Sequence, residues 1–288
     1  MAISLNTPKR DGLGAALEAL REWQSDDAPF QLHPGDLGWF ARAGAAKTAE
    51  SLRVWSRNGR IVAVGLLDGA DVLRLTTAPD QAEDEELAAR ICDDISDAAS
   101  GVLPAGEAYV ETPDGVLVRQ QLADRGWDAD EPWTPLQRDL SAPVPASTLR
   151  IEVVDRDSAA TRVEVQRAAF DNSTYTVERW QTMSDGPLFA SARDLVGYDD
   201  AGHAVAAITV WSAGVGKPGL IEPMGAHRDH RGHGFGTAIT LAGAAALREL
   251  GSSSVTVCTK SSNVAGVATY RAAGLTPLAE RMDLARRF

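Results

Sequence analysis

The chain has 288 residues, 44% of them hydrophobic and 24% charged, and carries a net charge of −12. That length suits two domains of ordinary globular composition, and the absence of a clustered Lys/Arg face argues against nucleic-acid binding. No apolar run approaches the roughly 18–20 residues that span a bilayer; MAISLNTPKRDGLG at the N-terminus has no stretch of signal-peptide length, so the expectation is a cytoplasmic protein without membrane or nucleic-acid partners.

In chain order, ESLRVWS, RNG and RIVAVGLL (50–67) read as a hairpin turning at Asn58-Gly59, and ADVLRLTTA (70–78) as a third strand. Residues 83–98 place Leu87, Ile91 and Ile95 on one helical face. A strand (GEAYVET), a helix (GVLVRQQLADRG) and a strand (PWTPLQRDL) follow. SAPVPAST at 141–148 has the prolines and small residues of a linker. The order then repeats: ARDLVGY and HAVAAITVW around Ala201-Gly202, GLIEPMGA, a helix over 235–250 with Ile239, Gly243, Ala246 and Leu250 on one face, SSSVTVCT, NVAGVATYRAAG and LAERMDLARRF. The pattern predicts two tandem α/β domains, 1–143 and 148–288, each a central mixed β-sheet flanked by helices, and each of about 140 residues, enough for its own core. Cys92 and Cys258 form no C-x-x-C pair, so both are expected to be buried free thiols rather than a disulfide or zinc site.

Chemistry concentrates at 220–250. A strand ends at Ala226, and Arg231-Gly232-His233-Gly234-Phe235-Gly236 leads into a helix. Unpaired amides and the helix dipole at that N-terminus suit a pyrophosphate, and Arg231 adds a planar cation. Within this loop neither G-K-[ST] nor the G-x-G-x-x-G spacing occurs, so it is not a P-loop or the dinucleotide-binding fingerprint. His227, His230 and His233 are three apart, but no carboxylate or cysteine completes a metal set, and no metal is expected.

The R-G-x-G-x-G loop, followed by Asn263, Tyr270 and Gly274, resembles the GNAT superfamily of N-acetyltransferases. That family shows [RQ]-x-x-G-x-G/A after its fourth strand and N-x-x-A-x-x-x-Y-x-x-x-G-F later. Gly266 stands for the alanine, Leu275 for the phenylalanine, and Arg228 for a frequent proline. The resemblance covers the second half by motif and the first half by element order. It implies an acetyl-CoA-dependent enzyme transferring acetyl to a primary amine of a small molecule. The backbone around Met224, Gly225 and Ala226 would pair with the pantetheine arm. Amides of Arg231, Gly232, His233, Gly234, Phe235, Gly236 and Thr237 would hold the pyrophosphate, and Asn263 would bond the pantetheine. Tyr270 would protonate the leaving thiolate. Glu222 is either the general base, directly or through water, or a strand carboxylate paired with an arginine.

Two alternatives stand beside that reading. One is similarity to the mycothiol synthases, two-domain members with one degraded half that acetylate a cysteinyl amine; the other is a non-catalytic acyl-CoA-binding regulator. The first half has Asp80, Glu83, Asp84, Glu85 and Glu86 where a diphosphate would sit, and Gln121 or Leu122 in place of Tyr270. It therefore reads as a degenerate copy, either structural or one wall of the substrate cleft, with FQLHPGDLGWF at 30–40 as a candidate for that wall.

Overall fold

The computed structural model describes residues 2–287. The first half runs β1 (Ile3–Asn6), α1 (Leu13–Trp23), α2 (Pro34–Phe40), α3 (Ala45–Glu50), β2 (Leu52–Arg57), β3 (Arg60–Leu67), β4 (Val72–Thr77), α4 (Glu85–Ser96), β5 (Ala108–Glu111), α5 (Leu117–Asp124) and β6 (Asp128–Asp139). The second runs β7 (Arg150–Val153), α6 (Ala159–Ala169), α7 (Val177–Ser184), β8 (Ala192–Tyr198), β9 (Ala204–Ser212), β10 (Gly219–Ala226), α8 (Phe235–Glu249), β11 (Ser254–Lys260), α9 (Val264–Ala272), β12 (Thr276–Pro277) and β13 (Arg281–Arg286).

Local chemistry sets these elements. Asn58 and Gly59 both take positive φ, which gives the β2–β3 turn the twist a tight hairpin needs. Leu87, Ile91 and Ile95 of α4 are fully buried. On α8 the buried stripe runs through Ile239, Gly243 and Leu247; Ala246 and Leu250 are only half-buried, so the expected face is rotated slightly. A Cβ at Gly243 would stand 2.7 Å from Ile208 Cδ1, so its absence lets α8 lie close on the sheet. Cys92 is buried as expected, whereas Cys258 is half-buried. Among the described residues, no helix is long and apolar enough to cross a membrane.

All strands join one 13-stranded mixed sheet, in the order β1-β2-β3-β4-β5-β13-β6-β11-β10-β9-β8-β7, with β12 beside β6. The two halves repeat one pattern: three antiparallel pairings, one parallel pairing (β4 with β5, β10 with β11), then an antiparallel last strand. The last strands are exchanged. β13 pairs with β5 of the first half, and β6 pairs with β11 of the second. The sheet is therefore unbroken where the sequence has its linker, because β6 and β13 also pair with each other.

The halves differ at one point that positions the site. β3 and β4 pair without a register shift, whereas β9 and β10 slip by one residue between Ile221 and Met224. The slip is a bulge at Glu222-Pro223, of the kind that re-aims a strand side chain. The β10–β11 pairing ends at Leu220–Thr256, and beyond it the two strands part.

Candidate active site

The gap between β10 and β11 opens into a cleft of about 600 Å³. Its walls are Met224, Gly225 and Ala226 of β10, the loop 230–232 with Gly234 to Thr237, and Asn263 and Tyr270 from α9, together with Ala169 and Phe170 at the end of α6. Of the residues expected to meet a donor, only His233 is not part of this lining; its exposed ring stacks on Phe235 at 5.6 Å.

The glycine loop is built as the sequence suggests. Gly232 and Gly234 have φ of 86° and 79°, and Gly234 is the N-cap of α8, so both positions favour a residue without a Cβ. Nothing lies within 4 Å of a Cβ at either, so backbone conformation and not crowding selects glycine. The first-turn amides of α8 face the cleft, where a helix leaves N–H groups unpaired. Arg231 also braces the loop, because its Nη2 donates to Ala169 O at 2.8 Å and ties it to the C-terminal end of α6.

Asn263 caps α9. Its Oδ1 accepts from Gly266 N at 3.1 Å and its Nδ2 donates to Thr259 at 3.0 Å. A Cβ at Gly266 would stand 2.3 Å from Asn263 Nδ2, which accounts for glycine where the family pattern has alanine. Tyr270 is 7% exposed. Burial first, and the charge of Glu222 second, push its phenol well above the ordinary value, so it is a neutral hydroxyl at physiological pH.

Glu222 lies outside the donor cleft. Its carbonyl accepts from Trp211 Nε1 at 2.7 Å. Its carboxyl is raised to about 7, by burial first, then by the Asp36 carboxylate, against the opposing pull of Arg74. Among the described residues it has no ion-pair partner within 4.0 Å, and Arg74 and Arg42 act on it at longer range.

Asp36 and Arg74 come from the first half. His33, Asp36 and α2 sit in the FQLHPGDLGWF segment, which docks on β9 and β10. His33 Nε2 meets Pro218 O at 3.1 Å, and Asp36 Oδ2 accepts from His33 N at 2.7 Å in a capping box. The segment is thus packed against β9 and β10, the strand that carries Glu222. Asp36 pairs with Arg74 (2.8 Å), Arg74 with Glu111 (2.8 Å), and Glu111 with Arg281 of the exchanged strand β13 (3.0 Å). Composition and periodicity give no signal for this ionic row, which joins residues far apart in sequence.

The first-half counterpart of the donor cleft is chemically different. Asp84 caps α4 by accepting from Leu87 N at 2.7 Å, and the Arg57 guanidinium holds its carboxyl down at about 2. Asp80 is bridged by Arg60, and Glu83 and Glu85 line a cleft of about 740 Å³. Helix α5 ends as α9 does: Trp127 N donates to Leu122 O just as Leu275 N donates to Tyr270 O. Of the two expected counterparts of Tyr270, Leu122 is therefore the structural one, and it is wholly buried.

Residues 158–275 match the acetyltransferase (GNAT) family model and form a domain of that family. No functionally curated protein matches the chain. Among solved structures, a tandem GNAT protein from the clavulanic acid biosynthesis pathway aligns at 17% identity and TM-score 0.62, over 99% of this chain and 98% of that one. A GNAT-family acetyltransferase from Colwellia psychrerythraea aligns at 16% and 0.63 over the whole of both chains. A GCN5-related N-acetyltransferase from Sphaerobacter thermophilus aligns at 17% and 0.58, over 99% and 95%. The shared fold is that of tandem GNAT proteins.

Proposed function

We propose that the protein transfers an acetyl group from acetyl-CoA to a primary amine of a small molecule, using one donor site per chain. The observation that carries this reading is Tyr270, a buried phenol lining the cleft with the glycine loop and Asn263, while Glu222 stands on β10, the strand that forms the cleft's other wall. The cleft suits the donor: parted strands for an extended arm, and a helix N-terminus with two left-handed glycines for a diphosphate. When bound, acetyl-CoA supplies an activated thioester carbonyl. Glu222 takes a proton from the acceptor ammonium so that its nitrogen carries a lone pair, and Tyr270 gives its proton to the departing sulfur. A carboxyl raised to about 7 is half-ionised near neutrality, where a base is most effective. This proton economy favours catalysis over passive acyl-CoA binding, which needs no acid.

The test is Tyr270→Phe. The ring still fills its place, so acetyl-CoA affinity by calorimetry should be kept at one site per chain. The kcat should fall about 10²-fold or more, the scale of a lost general acid. An unchanged kcat with any accepted amine would remove Tyr270 from the mechanism, and two equivalent donor sites would remove the assignment of the first half as degenerate.

A further inference from the structure

We propose that the acceptor carries a carboxylate close to its amine, and that this carboxylate docks on Arg42 and Tyr175 beside Glu222; the inference rests on the amine acetyltransferase reading above. Arg42 follows α2 in the first half. Its guanidinium lies over the Trp39 ring at 4.5 Å, and Nη1 donates to Trp39 O at 2.7 Å. These contacts hold the planar group in place and leave its other donors unused. Among the described residues, no carboxylate comes within the 4.0 Å of an ion pair. The charges of Asp68 and Glu222 reach it only at longer range, and burial, the largest influence, lowers its pKa.

Tyr175 supplies the second donor. It is 3% exposed, its hydroxyl has no hydrogen-bond partner, and its ring stands 5.1 Å from that of Trp39. Arg42 and Tyr175 also act on each other electrostatically. A desolvated guanidinium and a buried hydroxyl left unpaired are both costly, and such groups are normally satisfied by something. A planar anion satisfies both, and a carboxylate matches the guanidinium fork.

The neighbouring charges fall into two groups. Glu222, Asp36 and Asp68 form the acidic one, while Arg42 stands with Arg179. A zwitterion with adjacent ammonium and carboxylate meets both. A simple monoamine leaves Arg42 and Tyr175 unpaired, and a diamine brings a second cation toward Arg42 and Arg179. The acceptor class is therefore an amino acid, or a molecule that ends in one.

The experiment measures initial rates with saturating acetyl-CoA over the common amino acids, each beside its decarboxylated amine, for the native chain, R42Q, R42K and Y175F. The best acid should outrun its amine by about tenfold or more, the scale of a hydrogen-bonded charge. R42Q and Y175F should raise KM for the acid and close that gap while acetyl-CoA affinity is unchanged, and R42K should restore part of it. If decarboxylated amines serve equally well, or the gap survives in R42Q, the carboxylate site is overturned and the acetyltransferase reading stands. If no amine is acetylated, calorimetry of N-acetyl amino acids on CoA-loaded protein decides. Arg42-dependent binding supports the site, and its absence overturns it.

Discussion

Glu222 is held near pH 7 first by burial and then by the carboxylate of Asp36. Below that pH it is protonated and cannot accept the ammonium proton, so kcat/KM should rise with pH through about 7 rather than through the ordinary carboxylate range. The charged groups that act on it are Asp36, Arg74, Asp68 and Arg42. Asp36 is itself raised to about 6, chiefly by burial, so its repulsion is present at the pH where Glu222 titrates. Asp36→Asn removes a like charge, and the acid limb should move to lower pH; Glu222→Gln should abolish the limb and lower the rate about 10²-fold. A limb that stays in place in Asp36→Asn would show that Asp36 does not tune the base. Tyr270 and the glycine loop, which line one cleft, are legible in the sequence because local spacing carries them. Asp36, Arg42 and Arg74 are not, because they join the site only through the packing of one half on the other.

At the scale of elements, α2 is the piece that carries no sequence pattern. Seven residues with two glycines, PGDLGWF, show no helical periodicity, and a capping box at His33 rather than an apolar stripe forms the turn. Its glycines are there for contact. A Cβ at Gly35 would lie 2.5 Å from Trp211 Cβ, and one at Gly38 would lie 2.2 Å from Trp211 Cζ3. The same indole donates to the Glu222 carbonyl, so α2 presses on the group that holds the Glu222 backbone. Gly38→Ala should cost about 1–3 kcal/mol of stability through overpacking. It should also lower kcat while leaving acetyl-CoA affinity intact, since the donor cleft lies between β10 and α8–α9. Urea unfolding beside single-turnover rates would check this, and a variant as stable and as active as the parent would show that the seat is softer than described. The β2–β4 and β8–β10 strands are legible because alternation and turn residues mark them. Of the elements before β2 and β8, α1 carries an apolar stripe through Leu13, Ala16, Leu17, Leu20 and Trp23, whereas β1, α3 and β7 are only four to six residues long and α6 buries Arg162 and Gln166 among its apolar residues.

At the scale of the whole molecule, the repeat is legible in the sequence and the exchange is not. β6 and β13 close equivalent positions on equivalent sheets, so a sequence that repeats once does not distinguish the two pairings. The consequence is that cutting at the linker does not cut at the seam. A fragment of 148–288 lacks β6, which pairs with β11 over Ser254–Lys260. That leaves an open edge on the strand that borders the donor cleft, and open edges of this kind favour aggregation. It also leaves β13 without β5 and β6, its two neighbours. That fragment should not fold as a monomer. A fragment starting at 127 retains β6, so β11 and β13 both keep a partner, and it should bind acetyl-CoA. It still lacks α2, Asp36, Arg42 and Arg74, so it should acetylate amines far more slowly than the full chain. Circular dichroism, calorimetry with acetyl-CoA and amine turnover on the two fragments separate these outcomes. If 148–288 folds and binds acetyl-CoA as the full chain does, the exchanged strand is dispensable; if the longer fragment matches the full chain in turnover, the first half contributes nothing to the acceptor side.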